Sequence, residues 1–123
     1  MKTINYEYYV SLEVAKLLKE AGFDWEIKTF YFNNELHETI LGEAKNHNFS
    51  EVYISAPTLE VAQKWLREVH HLHITIFSSS QESWMFRITK QHQSLEDGVY
   101  GEDFYTYEEA LEAGIKKALE MIL

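Results

Sequence analysis

Between residues 57 and 90 the spacing of apolar side chains passes from a helical period to a strand period. Ala62, Trp65, Leu66 and Val69 fall at i, i+3, i+4 and i+7, which puts all four on one face and predicts a helix over 59–70. Pro57 and Thr58 supply its start, since proline is tolerated where a chain enters a helix and the threonine hydroxyl can accept from a first-turn amide. That face is expected to be buried. Beyond the histidines, Leu72, Ile74 and Ile76 alternate with His73, Thr75 and Phe77. After the polar run Ser78 to Ser83, Trp84, Phe86 and Ile88 alternate with Met85, Arg87 and Thr89. Two alternating runs joined by a short polar loop predict an antiparallel hairpin whose Leu/Ile/Trp/Phe face lies under Trp65 and Leu66.

The same reading extends outward from this unit. Ser11 caps a helix with the stripe Val14, Leu17, Leu18 and Ala21, and Gly22 follows where a left-handed residue ends it. Thr106 opens a longer one, in which Tyr107, Ala110, Leu111, Gly114, Ile115, Ala118, Leu119 and Ile122 keep the helical register and Glu109 completes a capping box. Gly114 on that stripe predicts close approach to the sheet. Residues 25–32 read as a strand, Asn33-Asn34 as a turn and 35–41 as its return. Residues 42–50 lack any period and read as a loop, 52–54 as a short extended piece, 91–98 as a loop with an Asp97-Gly98 turn and 99–105 as a further strand. Ile4 to Val10 reads as either a short edge strand or an extended lead-in. The expectation is one α+β domain over 1–123, an antiparallel β-sheet packed against about three α-helices in the order α-β-β-α-β-β-β-α. The helix starts Ser11-Leu12-Glu13-Val14-Ala15 and Thr58-Leu59-Glu60-Val61-Ala62 look alike, which shared capping chemistry explains better than an internal repeat.

Charge changes this picture more than composition does. The chain has 11 basic and 20 acidic residues and no cysteine, which excludes disulfides and thiolate metal sites. With no secretory leader pattern and no bilayer-length apolar run, the expected protein is soluble and cytoplasmic, with no membrane and no nucleic acid among its partners. Acid concentrates in one stretch. Between Glu96 and Glu112 stand Glu96, Asp97, Glu102, Asp103, Glu108, Glu109 and Glu112 without a lysine or arginine, a pattern first expected of a solvated surface.

Candidate chemistry is sparse. No G-x-S-x-G elbow, phosphate-binding loop, dinucleotide fingerprint or H-E-x-x-H helix is present, and the Ser78-Ser79-Ser80 run is accounted for as hairpin loop. No catalytic residue and no cofactor are assigned. His71 and His73, two apart, are candidate metal ligands if Glu68 or His92 converges on them, but a polar helix end and the outer face of a strand explain them more simply. Helix, strands and helix across 58–123 share the element order of double-stranded-RNA-binding domains, yet Glu108 and Glu109 occupy the place of the phosphate-gripping lysines, flanked by Asp103 and Glu112. The outer side of the hairpin is the better lead. Phe77 and Met85 on that side, which they share with Arg87, call for cover by the first 50 residues, the favoured reading, or for contact with a second subunit, giving a possible homodimer.

Ala56-Pro57-Thr58-Leu59 with Trp65-Leu66-Arg67, and the run Thr106-Tyr107-Glu108-Glu109-Ala110-Leu111-Glu112-Ala113-Gly114-Ile115, resemble a family of small, uncharacterised acidic proteins of Bacteroides-type bacteria, their prophages and mobile elements. The stretch from Val10 to Leu18, continuing to Gly22-Phe23, looks like that family's opening helix. The resemblance implies no reaction and no cofactor, so no residue inherits a role. The expected function is that of a non-enzymatic accessory protein acting on an unknown protein partner through its surface, with Phe77, Met85, Arg87, Glu102, Asp103, Glu108 and Glu109 as the candidate interaction residues. Two alternatives stay open: an inhibitor whose acidic run 96–112 mimics nucleic acid, and a small His/carboxylate metal-dependent hydrolase.

Overall fold

The structure, a computed structural model, describes residues 4–79 and 82–123. Among these residues the chain forms α1 (Leu12–Glu20), β1 (Thr29–Phe32), β2 (Glu35–Glu38), β3 (Ile54–Ser55), α2 (Leu59–His70), β4 (Leu72–Ser78), β5 (Trp84–Lys90), β6 (Val99–Phe104) and α3 (Tyr107–Ile122). The class is α+β in the expected order, but the strands divide into two three-stranded antiparallel sheets, β2-β1-β3 and β4-β5-β6.

Local chemistry accounts for the boundaries. Ser11 and Thr58 each accept from the amide three residues on, Val14 and Val61, both at 3.2 Å. Asn33 and Asn34 have φ of 51° and 65°, the left-handed pair that a tight two-residue hairpin requires. Gly22, at φ 93°, turns the chain out of α1. At α3, the Glu109 amide donates to Thr106 Oγ1 at 3.0 Å, while the Glu109 carboxylate accepts from the Tyr105 amide at 3.1 Å, one residue earlier than the simple capping box. The lead-in is a 3-10 turn, Tyr6–Tyr8, rather than a strand, and Tyr9 bridges Thr58 beyond it.

The larger sheet carries α2 and α3 on one face. Leu72, Ile74, Phe86 and Ile88 point into that layer and are buried, and α3 packs over all three strands while α2 lies along β4. Gly114 does lie where α3 comes closest: a Cβ there would sit 3.0 Å from Ile74 and 3.2 Å from Phe86. Opposite it, the Phe86 ring covers Gly101 of β6, where a Cβ would fall 2.1 Å from the ring. One buried aromatic is therefore held between two glycines. The smaller sheet joins through α1, which packs on both β3 and α3. Tyr31 Oη donates to the Val10 carbonyl at 2.8 Å, and Phe23 sets its ring edge-on to Trp65 at 5.4 Å. The buried residues of both sheets and all three helices form one continuous core.

Val69 departs from expectation. Ala62, Trp65 and Leu66 are buried, but Val69 is 47 % exposed, because the inward place in the last turn is taken by His70, four residues after Leu66, whose half-buried ring meets Trp65 at 4.8 Å. Of the hairpin loop, Ser79 and Ser83 close the two strands with an Oγ–Oγ bond of 2.6 Å; Ser80 and Gln81 lie outside the described residues.

Candidate functional site

The open side of β4-β5-β6 holds the outward residues named from the sequence. Phe77 pairs with Met85, Thr75 with Arg87, and Arg87 in turn with Tyr100. The first 50 residues do not cover this side: β4, β5 and β6 pack on one another and on α2 and α3, while the amino-terminal sheet sits beyond α1. The expected cover is corrected in identity and in extent. It comes from the 91–98 link, whose Gly98 lies against Thr89 and Arg87, and it buries Thr89 alone at that edge.

Phe77, Met85 and Arg87 are left half-buried by their own neighbours, with Tyr100 44 % exposed beside them. The Arg87 guanidinium lies 5.7 Å from the centre of the Phe77 ring. Its Nε is shut off from solvent without a hydrogen-bond partner, and Arg87 has no carboxylate partner among the described residues. Next to it, the β5–β6 register slips between Trp84 and Phe86, so Glu102 and Asp103 both stand opposite Met85. Asp103 takes φ 67° there, and both acids are exposed. One sheet face thus presents an aromatic, a thioether, a cation without a counterion and two free carboxylates.

The acidic run does not act as one surface. Glu109 is spent on the start of α3. Glu112 reaches α1, where it accepts from the Ser11 amide at 3.0 Å, and burial raises its pKa above the ordinary glutamate value, opposed by that hydrogen bond. Glu108 flanks a cleft at the starts of α2 and α3, lined also by Tyr8, Thr58 and Tyr107. Glu102, Asp103, Glu96 and Asp97 remain as exposed charge.

The histidines disperse by role. His71 is the left-handed cap of α2, at φ 57°, and precedes the strand, so it does not share the β4 face with His73, which pairs with Thr89. His70, His71 and His92 border one shallow depression with Lys90 and Gln91. Among the described residues no three His, Asp or Glu side chains come together to hold a metal ion.

A second concavity lies where the sequence pattern is silent. The aperiodic stretch 42–50 packs a 3-10 turn, His47–Phe49, against the outward face of β1. His47 Nε2 donates to the Ile27 carbonyl at 2.9 Å, a carbonyl being able only to accept, and burial lowers its pKa below the ordinary value. Beside it is an open cleft of about 630 Å³, floored by Phe30 and His47 and walled by Ile40, Leu41, Phe49 and Tyr53. The clue in the sequence was the pair of outward aromatics, Phe30 and Phe32, on a strand whose inward residues are Thr29 and Tyr31. No family model, curated protein or solved structure matches the chain. Among the described residues, no helix is long and apolar enough to cross a membrane.

Proposed function

We propose that this is a non-enzymatic accessory protein that works by association, and that the open face of β4-β5-β6 is where it pairs with a second copy of itself. The observation that carries the reading is Arg87: a cation over Phe77, with a sealed Nε and no carboxylate partner, one strand away from the free acids Glu102 and Asp103. A two-fold axis brings the same patch of both copies together, so Arg87 of one meets Glu102 and Asp103 of the other while Phe77, Met85 and Tyr100 lose water. Such sheet faces pack about 10 Å apart, as in a sandwich. Support for a non-catalytic role comes from the displaced groups themselves, since Glu112 and His47 are each bonded to backbone in a packing role. The loss of Glu109 and Glu112 to helix starts also weakens a nucleic-acid-mimicking use of 96–112, and with so acidic a chain we keep nucleic acid outside its partners.

Sedimentation velocity over a concentration series is the test. A dimer is expected to form with rising concentration, to be lost in Phe77→Asp, and to be restored when Arg87→Glu is mixed with Glu102→Lys/Asp103→Lys. Circular dichroism establishes that each variant is folded. A chain that stays monomeric throughout, or a dimer indifferent to Phe77→Asp, overturns the reading.

A further inference from the structure

The cleft on the small sheet is independent of that face and has its own chemistry. Its floor is rigid: the Phe30 ring stacks with His37 at 5.6 Å and with His47 at 4.7 Å, and Tyr53 meets it edge-on at 5.1 Å. Its walls lie in water. Ile40 is 98 % exposed, Leu41 84 % and Phe49 92 %. One such residue is ordinary on a protein surface, but three around an apolar-floored concavity mark a place where a partner is received. About 630 Å³ accommodates one or two bulky side chains. The cleft is open along one side and its polar groups are few, so it suits an anchor projecting from a polypeptide better than a small molecule, which needs enclosure and several orienting polar groups.

Charge selects among polypeptides. Of the charged residues that line the cleft, Glu43 and Lys45 pair with each other at 3.7 Å, and the surrounding stretch 24–51 adds Asp24, Glu26, Glu35, Glu38 and Glu51 against Lys28 alone. A second copy that presented this same stretch to the cleft would set like charge against like, so it is not the occupant here. A cationic segment is attracted. We infer that this cleft binds a peptide segment of a partner protein in which one bulky apolar side chain, seated on Phe30 and His47 between Leu41 and Phe49, is flanked by lysine or arginine.

Selection of randomised peptides displayed on phage against the folded full-length protein tests this without knowledge of the partner. Enriched peptides are expected to share a large aliphatic or aromatic residue with Lys or Arg within two positions of it. As synthetic peptides they should bind at least about tenfold more weakly to Phe49→Asp and to Leu41→Asp, the loss typical of an anchor contact. Both side chains are in water, so the variants retain the fold, and circular dichroism verifies it. Binding should also weaken as salt rises. Peptides that are acidic or lack a basic residue, peptides that bind Phe49→Asp equally well, or no enrichment at all would each refute the assignment. Self-association abolished by Phe49→Asp refutes it too, because the occupant would then be a second copy. Phe77→Asp should leave peptide binding unchanged, which separates this cleft from the sheet face.

Discussion

The Glu112 carboxylate of α3 accepts a hydrogen bond from the Ser11 backbone amide at 3.0 Å, joining residues 101 apart in the chain. Ser11 is the cap of α1, so an acid from the last helix completes the first helix's start, where backbone dipoles favour negative charge. A second link, Lys116 to Glu13 at 2.7 Å, lies in solvent and contributes little. Glu112 is the consequential one because it is half-buried.

Burial is the largest influence on Glu112 and raises its pKa above 4.5, the nearby Glu13 adding to the rise and the Ser11 hydrogen bonds opposing it. The folded state therefore favours the protonated acid: the stabilisation is fully present below the unfolded value and lost as pH rises through the folded one. Glu112→Gln keeps an oxygen acceptor without the charge. It should raise the denaturation midpoint at about pH 7, with the advantage shrinking towards about pH 4, where the wild-type acid is itself neutral. Glu112→Ala, which leaves the Ser11 amide without its partner, should lower stability by about 1 kcal/mol at either pH. Urea titrations at the two pH values decide this.

Phe86 between Gly101 and Gly114 gives a sterically defined prediction. Gly101→Ala places a methyl where the Phe86 ring now lies, with 2.1 Å between Cβ and the nearest ring carbon, and the Phe104 ring stands 5.9 Å from it, centre to centre. Overpacking of this kind should cost about 1–3 kcal/mol. Adding Phe86→Leu should recover part of the loss, so the double variant is more stable than the two single effects sum to. A denaturation cycle on the four proteins measures the coupling, and additivity would show that the ring does not rest on Gly101.

The sequence pattern located the helices and the hairpin because their periods are long and their caps are chemical. Thr58, Ser11 and Thr106 mark the helix starts they cap, and apolar residues alternate along Leu72–Ile76 and again along Trp84–Ile88. Strand partnership was less legible. Alternation says which residues share a face but not which strands share a sheet, and the two-residue β3, which completes the small sheet, is too short for any period. Val69 shows a related limit: helical spacing offers both Val69 and His70 to the inward side of the last turn, and it is His70 that packs on Trp65. On the sheet face, Phe77, Met85 and Arg87 stood out as apolar or charged residues in the outward register. The cleft was hidden, since its walls come from 39–53, where turns hold the chain and side chains follow no repeat.

Trp65 tests the joint between the two halves of the core. It is 1 % exposed and touches Phe23, which enters from the α1–β1 connection, as well as His70 at the end of its own helix. Trp65→Ala should cost about 3–5 kcal/mol, the range for an emptied aromatic site. If Phe23 docks through Trp65, Phe23→Ala in the Trp65→Ala background should cost clearly less than it does alone. Chemical denaturation followed by circular dichroism reads both differences.

His47 sets up an acid response opposite in sign to that of Glu112. Burial is the main cause of its lowered pKa, Lys45 acts in the same direction, and the bond to the Ile27 carbonyl works against both. The neutral ring, protonated on Nε2, is the species the fold accepts, and its other face lies on Phe30 at 4.7 Å. For a group depressed below 6.5 on folding, the stabilisation is present above that value and is lost as pH falls through the folded one. Acidification from pH 7 therefore costs stability through His47 while it relieves Glu112, and the wild-type curve alone blends the two. Melting temperatures from about pH 7 to about pH 4.5 for wild type, His47→Gln and Glu112→Gln separate them. The wild type should lose stability relative to His47→Gln as pH falls, and gain on Glu112→Gln over the same interval. Because His47 is also the cleft floor, its ring resonances should titrate below 6.5 in the free protein and shift when a cationic peptide occupies the site. A His47 signal titrating at or above its ordinary value would mean that the ring is solvated and that Phe30 and His47 do not stack as a cleft floor in solution.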